Sequence, residues 1–189
     1  MTPAKPAAPG LSYEGQLALA WKEVKPPGEM ELSELKFANM DVLRTLLSLE
    51  TYSSEISDEL PEVDTQQVAR LEFKLNLLLE LVGQLLAQQQ LIPAVHPLTL
   101  TPATVCWQDN VAPTQNSLLR IELYCSMHYP RPLILHGRAV ELTHQNAGWL
   151  VAAEFEALGE TVRDGLERFI FIQHRRAVSR IRRSKHSLF

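Results

Sequence analysis

The chain has 189 residues, 46% hydrophobic and 21% charged, which excludes a disordered protein and suits one compact domain with an extension. Its formal net charge of −4 hides an asymmetry: from Arg168 to the end seven Lys or Arg occur with no acid, so the remainder carries −11. Glu50 to Asp64 alone holds six acids and no base.

The opening MTPAKPAAPG lacks an apolar h-region, so residues 1–10 are expected to be a disordered tail rather than a signal peptide. Residues 15–24, GQLALAWKEV, alternate with Leu17, Leu19 and Trp21 on one face, the pattern of a half-buried strand closed by Pro26, Pro27 and Gly28. From about 30 to 59 the period becomes helical through Leu32, Leu35, Val42, Leu46, Leu49 and Ile56, with a stop near Pro61. Asp64 with Gln67 resembles a capping box and should start a second helix, which Pro93 ends. If helical throughout, residues 65–92 span about 40 Å at ~1.5 Å per residue.

That second helix carries a heptad seam. Val68, Leu71, Leu75, Leu78, Val82, Leu85 and Ile92 fall at alternating three- and four-residue steps, with Gln89 the polar interruption. Leu79, Leu81 and Leu86 lie beside the seam, making the stripe too wide for a single partner helix. A monomer core helix is the bland alternative, but the rest of the chain is committed elsewhere, so self-association is expected. Val at seam positions opposite Leu leans toward a dimer, and the flanking leucines toward more strands.

After Pro97 strand patterns return in TVCWQ (104–108), SLLRIELYC (117–125), PLILHGRAVEL (132–142) and GWLVAAEFEA (148–157), separated by turn-rich DNVAPTQN and THQNAG. Short strands with short connections predict an antiparallel barrel. A last helix from about 160 to 183 puts Val162, Leu166, Phe169, Ile170 and Val178 inward. The predicted class is α+β: a small barrel over 11–28 and 98–160, interrupted after its first strand by a helical hairpin at 29–97. A C-terminal helix and basic tail follow at 161–189.

No GxSxG, Walker loop or GxGxxG after a strand occurs, and Glu154 and Glu156 read as solvated strand residues, so no enzyme is expected. Cys106 and Cys125 sit in strand-like stretches and read as buried free thiols. The six histidines never pair at a metal-helix spacing, and Cys125 with His128 lacks a second ligand pair. The longest uncharged run, 81–108, holds three prolines and a glutamine triplet and makes a poor membrane span, so a cytoplasmic protein is expected.

In its last three strand-like segments, ending in GWLVAAEFE, and in the closing DGLERFIFIQHRRAV, the chain resembles a PilZ domain, the barrel of bacterial cyclic di-GMP signalling. The heptad helix inserted after the first strand is similar to the atypical, tetramer-forming PilZ branch, and the resemblance covers nearly all of the chain from about residue 11. Nucleotide-binding PilZ domains carry RxxxR before the first strand and (D/N)xSxxG in the barrel. Here no arginine precedes Arg44, and in QDNVAPTQN the three motif slots fall on Asn110, Ala112 and Gln115, of which only the first matches. Arginines would clamp phosphates bidentately, and small residues plus glycine would admit the guanine.

The resemblance therefore implies a tetrameric, non-catalytic adaptor or scaffold that meets another protein of the pathway and has no resident cofactor, cyclic di-GMP binding being weak or absent. The alternative is a direct receptor using a non-standard arginine surface drawn from Arg120, Arg138, Arg175, Arg176 and Arg180. From a different class, RRAVSRIRR could bind the phosphates of nucleic acid or anionic lipid. It is otherwise a solvated helix end favoured by the helix dipole, or it meets the acidic 50–64 segment.

Overall fold

The computed structural model describes residues 11–51, helical positions between 68 and 85, and residues 92–126, 129–145 and 148–186, with side chains as far as Leu49 on the first helix and Arg176 on the last. Six strands form a closed antiparallel barrel: β1 (Tyr13–Glu23), β2 (Val95–Leu100), β3 (Thr104–Asp109), β4 (Leu118–Tyr124), β5 (Leu133–Gln145) and β6 (Gly148–Glu156). The order around the barrel is β1-β2-β3-β6-β5-β4. Helix α1 (Glu29–Thr51) and the helical positions 68–85 lie between β1 and β2 in sequence, and helix α2 (Glu160–His186) closes the chain. Pro61 and the capping residues Asp64 and Gln67 lie outside the described residues.

The inward positions recur at every second residue, as a pleated strand requires. Leu119, Ile121 and Leu123 of β4 face Leu133, Leu135 and Ala139 of β5, with Val105 and Trp107 of β3 and Val151 and Ala153 of β6 completing a dry interior. The strand Val95–Leu100 escapes a reading of the sequence because Pro97 sits inside it. Proline donates no ladder hydrogen bond, and the β2–β3 register accordingly runs only from Leu98 to Leu100 and stops beside it. Ile92 is half-buried and non-helical in the approach to β2, so it is not the last residue of a heptad helix. Strand β5 also runs on to Gln145, three residues past the predicted end, where it pairs with Gly148 of β6.

The helices pack through the stripes that the 3.6-residue period selects. Val42, Leu43 and Leu46 of α1 meet Val162, Leu166, Phe169 and Ile170 of α2 in the same core, while Val178 lies beyond the described side chains. Gly165 makes the close crossing possible, since a Cβ there would lie 2.9 Å from Leu43 Cδ1. One polar side chain seats α1 on the barrel. Asn39, 5% exposed, donates through Nδ2 to the Ile134 carbonyl and accepts from the Ile134 N–H, both at 2.8 Å. The β5–β6 ladder begins at His136 paired with Glu156, so Ile134 lies past the end of its neighbour. Asn39 takes the place of the missing strand and satisfies both backbone groups.

Candidate functional site

The loop from Asn110 to Ser117 joins β3 to β4 and holds the three positions at which a nucleotide motif was expected. Asp109, the last residue of β3, controls its first turn. Its Oδ2 accepts from Trp21 Nε1 at 2.8 Å and Trp107 Nε1 at 3.3 Å, and its Oδ1 accepts from the backbone N–H of Asn110 at 2.7 Å and Val111 at 3.3 Å. Partial burial pushes this carboxyl up, but the four hydrogen bonds outweigh it and hold the pKa below the usual range. The two indoles lie 6.5 Å apart, inclined at 54°, so the carboxylate also fixes an aromatic pair at this end of the barrel.

A second carboxylate controls the loop's far half. Glu23 at the end of β1 accepts from the Thr114 N–H at 2.6 Å, and that bond holds its pKa below the ordinary value. Gln115 donates through Nε2 to the carbonyl of Val140 at 2.8 Å, where a bulge interrupts the β5–β6 register. Asn116, with φ 63°, donates its N–H to Ala139, and Ser117 donates to Thr114. Gly148, with φ 128°, starts β6 against this end of β3, where a Cβ would lie 2.5 Å from the Asp109 carbonyl.

The consequence is electrostatic. In a phosphate-binding loop the backbone N–H groups point outward at an anion. Here those of Asn110, Val111, Thr114, Asn116 and Ser117 are taken by acceptors of the chain itself, two of them carboxylates. The expected slots are placed accordingly: Asn110 exposed, Ala112 half-buried, and Gln115 engaged with β5.

The candidate arginines do not form one clamp. Arg138 on β5 is held bidentately by Glu156, Nε to Oε1 at 2.5 Å and Nη2 to Oε2 at 3.0 Å, while Nη1 donates to the Asn116 carbonyl at 2.9 Å. Glu156 raises the Arg138 pKa and is not the solvated strand residue that the sequence suggests. Arg120 on β4 pairs with Glu122 at 3.2 Å, its Nε buried without an acceptor. Arg175 stacks over Phe171 at 5.9 Å. It and Arg176, which is itself engaged, belong to α2, whose packing is against α1 and β1. The side chain of Arg180 lies outside the described residues.

Of the seam positions, Val68 is half-buried, and Leu71, Leu75, Leu78, Val82 and Leu85 are 51 to 60% exposed on helical backbone. Leu79 and Leu86 lie outside the described residues. Phe73, Leu77 and Leu81 are also exposed, at 44 to 69%. Phe73 and Leu77 are additions to the apolar surface that heptad numbering passes over, because they fall off the seam. Their four-residue spacing with Leu81 was the signal for a second stripe.

Cys125 is a free thiol pushed up to about 12 by burial, and Cys106 is free and raised for the same reason, with Glu141 adding to it. Among the described residues no cluster of His, Cys, Asp and Glu could hold a metal ion, and no helix is long and apolar enough to cross a membrane.

A family model described as an atypical PilZ domain, cyclic di-GMP receptor, matches residues 23–183. A crystal structure of a pathogenic protein from Xanthomonas campestris, described as a new tetrameric PilZ domain self-assembled via an unusual helical bundle, aligns with a TM-score of 0.71. It shows 25% identity over 92% of this chain and 93% of that one. The comparison with curated proteins finds none that matches.

Proposed function

This chain belongs to the atypical PilZ domain family, and from that premise we propose that it is a non-catalytic, tetrameric adaptor of cyclic di-GMP signalling that itself binds the nucleotide weakly or not at all. The observation that carries the reading is the closed β3–β4 loop, whose backbone donors are taken by Asp109, Glu23 and β5. A phosphate brought there would compete with two carboxylates and meet no uncommitted arginine of the barrel face, Arg138 being held by Glu156 and Arg120 by Glu122. A charge-assisted hydrogen bond contributes about 1.5–3 kcal/mol, so two missing arginine clamps forfeit roughly 3–6 kcal/mol. A site that would otherwise be micromolar falls to about submillimolar or worse.

Assembly rests on the helix at 68–85. Its large apolar side chains stand exposed at more than one angle, and a solvated helix has no use for them. The Xanthomonas campestris relative assembles through a helical bundle, and the heptad seam suits the same role here. On this reading the partner is first a copy of this chain and then another protein of the pathway, met in the cytoplasm.

Isothermal titration of the full chain with cyclic di-GMP tests the nucleotide part. No saturable heat in the micromolar range is expected. A micromolar isotherm abolished by Arg175→Ala with Arg176→Ala would replace the adaptor by a direct receptor with a relocated site.

A further inference from the structure

Strand β5 outruns the strand beside it. Its ladder with β4 ends where Arg138 pairs with Leu118; Ala139 then exchanges bonds with Asn116 and Ser117, and the Gln115 side chain reaches the Val140 carbonyl. Beyond Val140, residues 141–145 pair with β6 on one side, and among the described residues nothing pairs with them on the other. The closed barrel therefore carries an open sheet edge where β5 and β6 run past β4.

The alternation of an antiparallel ladder decides which backbone groups that edge offers. Phe155 donates its N–H to the Ala103 carbonyl beside β3, so the odd-numbered residues of β6 turn their backbone groups toward β3 and the even-numbered ones toward β5. Ala152, Leu150 and Gly148 thus bond to their register partners Glu141, Thr143 and Gln145. Leu142 and His144 are left with N–H and C=O directed away from β6. Ala139 obeys the same alternation, since its two backbone groups face Ser117 and Asn116 rather than β6. The His144 and Trp149 rings, 4.9 Å apart and edge to face at 84°, hold this end of the strand pair in shape.

Exposed edges are ordinarily kept apart by lysine or proline, and residues 140–145, VELTHQ, contain neither. The segment is instead complementary to itself. When two copies run antiparallel about Thr143, Leu142 of one lies opposite the partner's His144, and these are the residues whose backbone groups are unpaired, so each such pair exchanges both of its hydrogen bonds. Thr143 then faces the partner's Thr143 in the close, non-bonded position that suits a β-branched pair. Glu141 meets the partner's Gln145, a carboxylate acceptor against an amide donor. Centring the pair on Glu141 instead would set like charges opposite one another.

We infer that the open β5 edge is a self-association surface, at which two copies of this chain join by antiparallel pairing of residues 141–145 about Thr143. Five residues from each chain bury less than the ~1,200–2,000 Å² of a stand-alone interface, so the contact reinforces assembly rather than driving it, and in that respect it rests on the proposed tetramer. Within such an assembly the effective concentration is about millimolar.

Disulfide trapping of the full chain tests the register. Thr143 and Glu141 are both exposed, so cysteine at either position leaves the barrel core untouched, and wild type carries the same background of Cys106 and Cys125. Non-bonded partners lie about 4.5 Å apart between Cα atoms, within disulfide reach, whereas the two copies of Glu141 would stand roughly 14 Å apart, four residues at ~3.4 Å, which is too far. Under mild oxidation at protein concentrations up to about millimolar, Thr143→Cys should form linked dimers at least tenfold faster than Glu141→Cys. Mixing the Glu141→Cys protein with a Gln145→Cys protein should give mixed dimers, and adding Thr143→Lys to both should suppress them. Equal rates for Thr143→Cys and Glu141→Cys would overturn the inference, as would mixed dimers indifferent to the lysines. The rate ratio compares positions within one edge, whereas sedimentation equilibrium of the wild type reads the helical assembly, so the two readings fail separately.

Discussion

Asn39→Ala should loosen α1 from the barrel at a cost that can be worked from two hydrogen bonds. Both are 2.8 Å, both join Asn39 to Ile134, and Asn39 is 5% exposed. The substitution leaves the Ile134 N–H and carbonyl without partners under a helix, at about 1–3 kcal/mol for each unsatisfied group. Ile134 is half-buried, so water recovers part of that, and about 2–4 kcal/mol remains. For a chain of this size that is a fall of roughly 4–16 °C in melting temperature. Thermal and urea unfolding should be followed by circular dichroism at one fixed protein concentration, because the proposed assembly would contribute to apparent stability. Asn39→Asp makes the informative comparison: it keeps the acceptor for the Ile134 N–H and loses the donor to its carbonyl. A loss below about 0.5 kcal/mol for the alanine variant would mean that apolar packing of α1 alone holds it, and the strand-replacement argument would fail.

Leu75→Ala with Leu78→Ala should lower both oligomer order and melting temperature, since truncating a leucine that the proposed assembly buries costs about 2–5 kcal/mol in every copy; sedimentation equilibrium reads the first, and a wild type that is monomeric at micromolar concentration would remove the basis of the assembly proposal. The Asp109 carboxyl is held below its ordinary pKa, so its contribution to stability is present above the unfolded value near 4 and lost as pH falls through the lower folded one. Asp109→Asn should therefore melt below wild type at neutral pH, with the gap narrowing as the pH falls below about 4; a pH-independent gap would show that the charge plays no part. Cys125, pushed up to about 12, should hold about a thousandfold less thiolate at pH 8 than an ordinary cysteine, and alkylation with mass-spectrometric detection should find it unmodified long after a free thiol standard.

What the sequence discloses is whatever repeats. The alternation of Leu17, Leu19 and Trp21 and the inward stripe of Val162, Leu166, Phe169 and Ile170 are periodic signals, and burial has no other way to express itself along a strand or helix; the seam from Val68 to Leu85 is periodic too, though its leucines stand exposed on the described chain. The barrel and its interruption follow from them. The β2 strand was illegible because six residues containing a proline carry too little pattern to outweigh the breaker. The loop site was half legible: the departures at Ala112 and Gln115 are visible, but nothing in one dimension shows Glu23 reaching Thr114 across 91 positions. The same holds for Glu156, which reads as a solvated strand residue until the β5–β6 register sets it near Arg138.

The closed barrel imposes an order of events on synthesis. Strand β1 is complete at Glu23, yet its two ladder partners begin at Val95 and Leu118. At about 5–20 residues per second it waits roughly 4–14 s for β2 alone, with both edges unpaired. During that interval the leucines of the 68–85 helix emerge, and they emerge before any closed barrel exists to screen one nascent chain from the next. Helices on neighbouring nascent chains of one polysome can thus meet first. If the helix assembles the chain as proposed, each barrel then closes on a protomer already held by its neighbours, and a variant with a slower barrel should accumulate as helix-joined, protease-sensitive oligomers rather than as monomers. Pulse-labelling with native electrophoresis would reveal the difference.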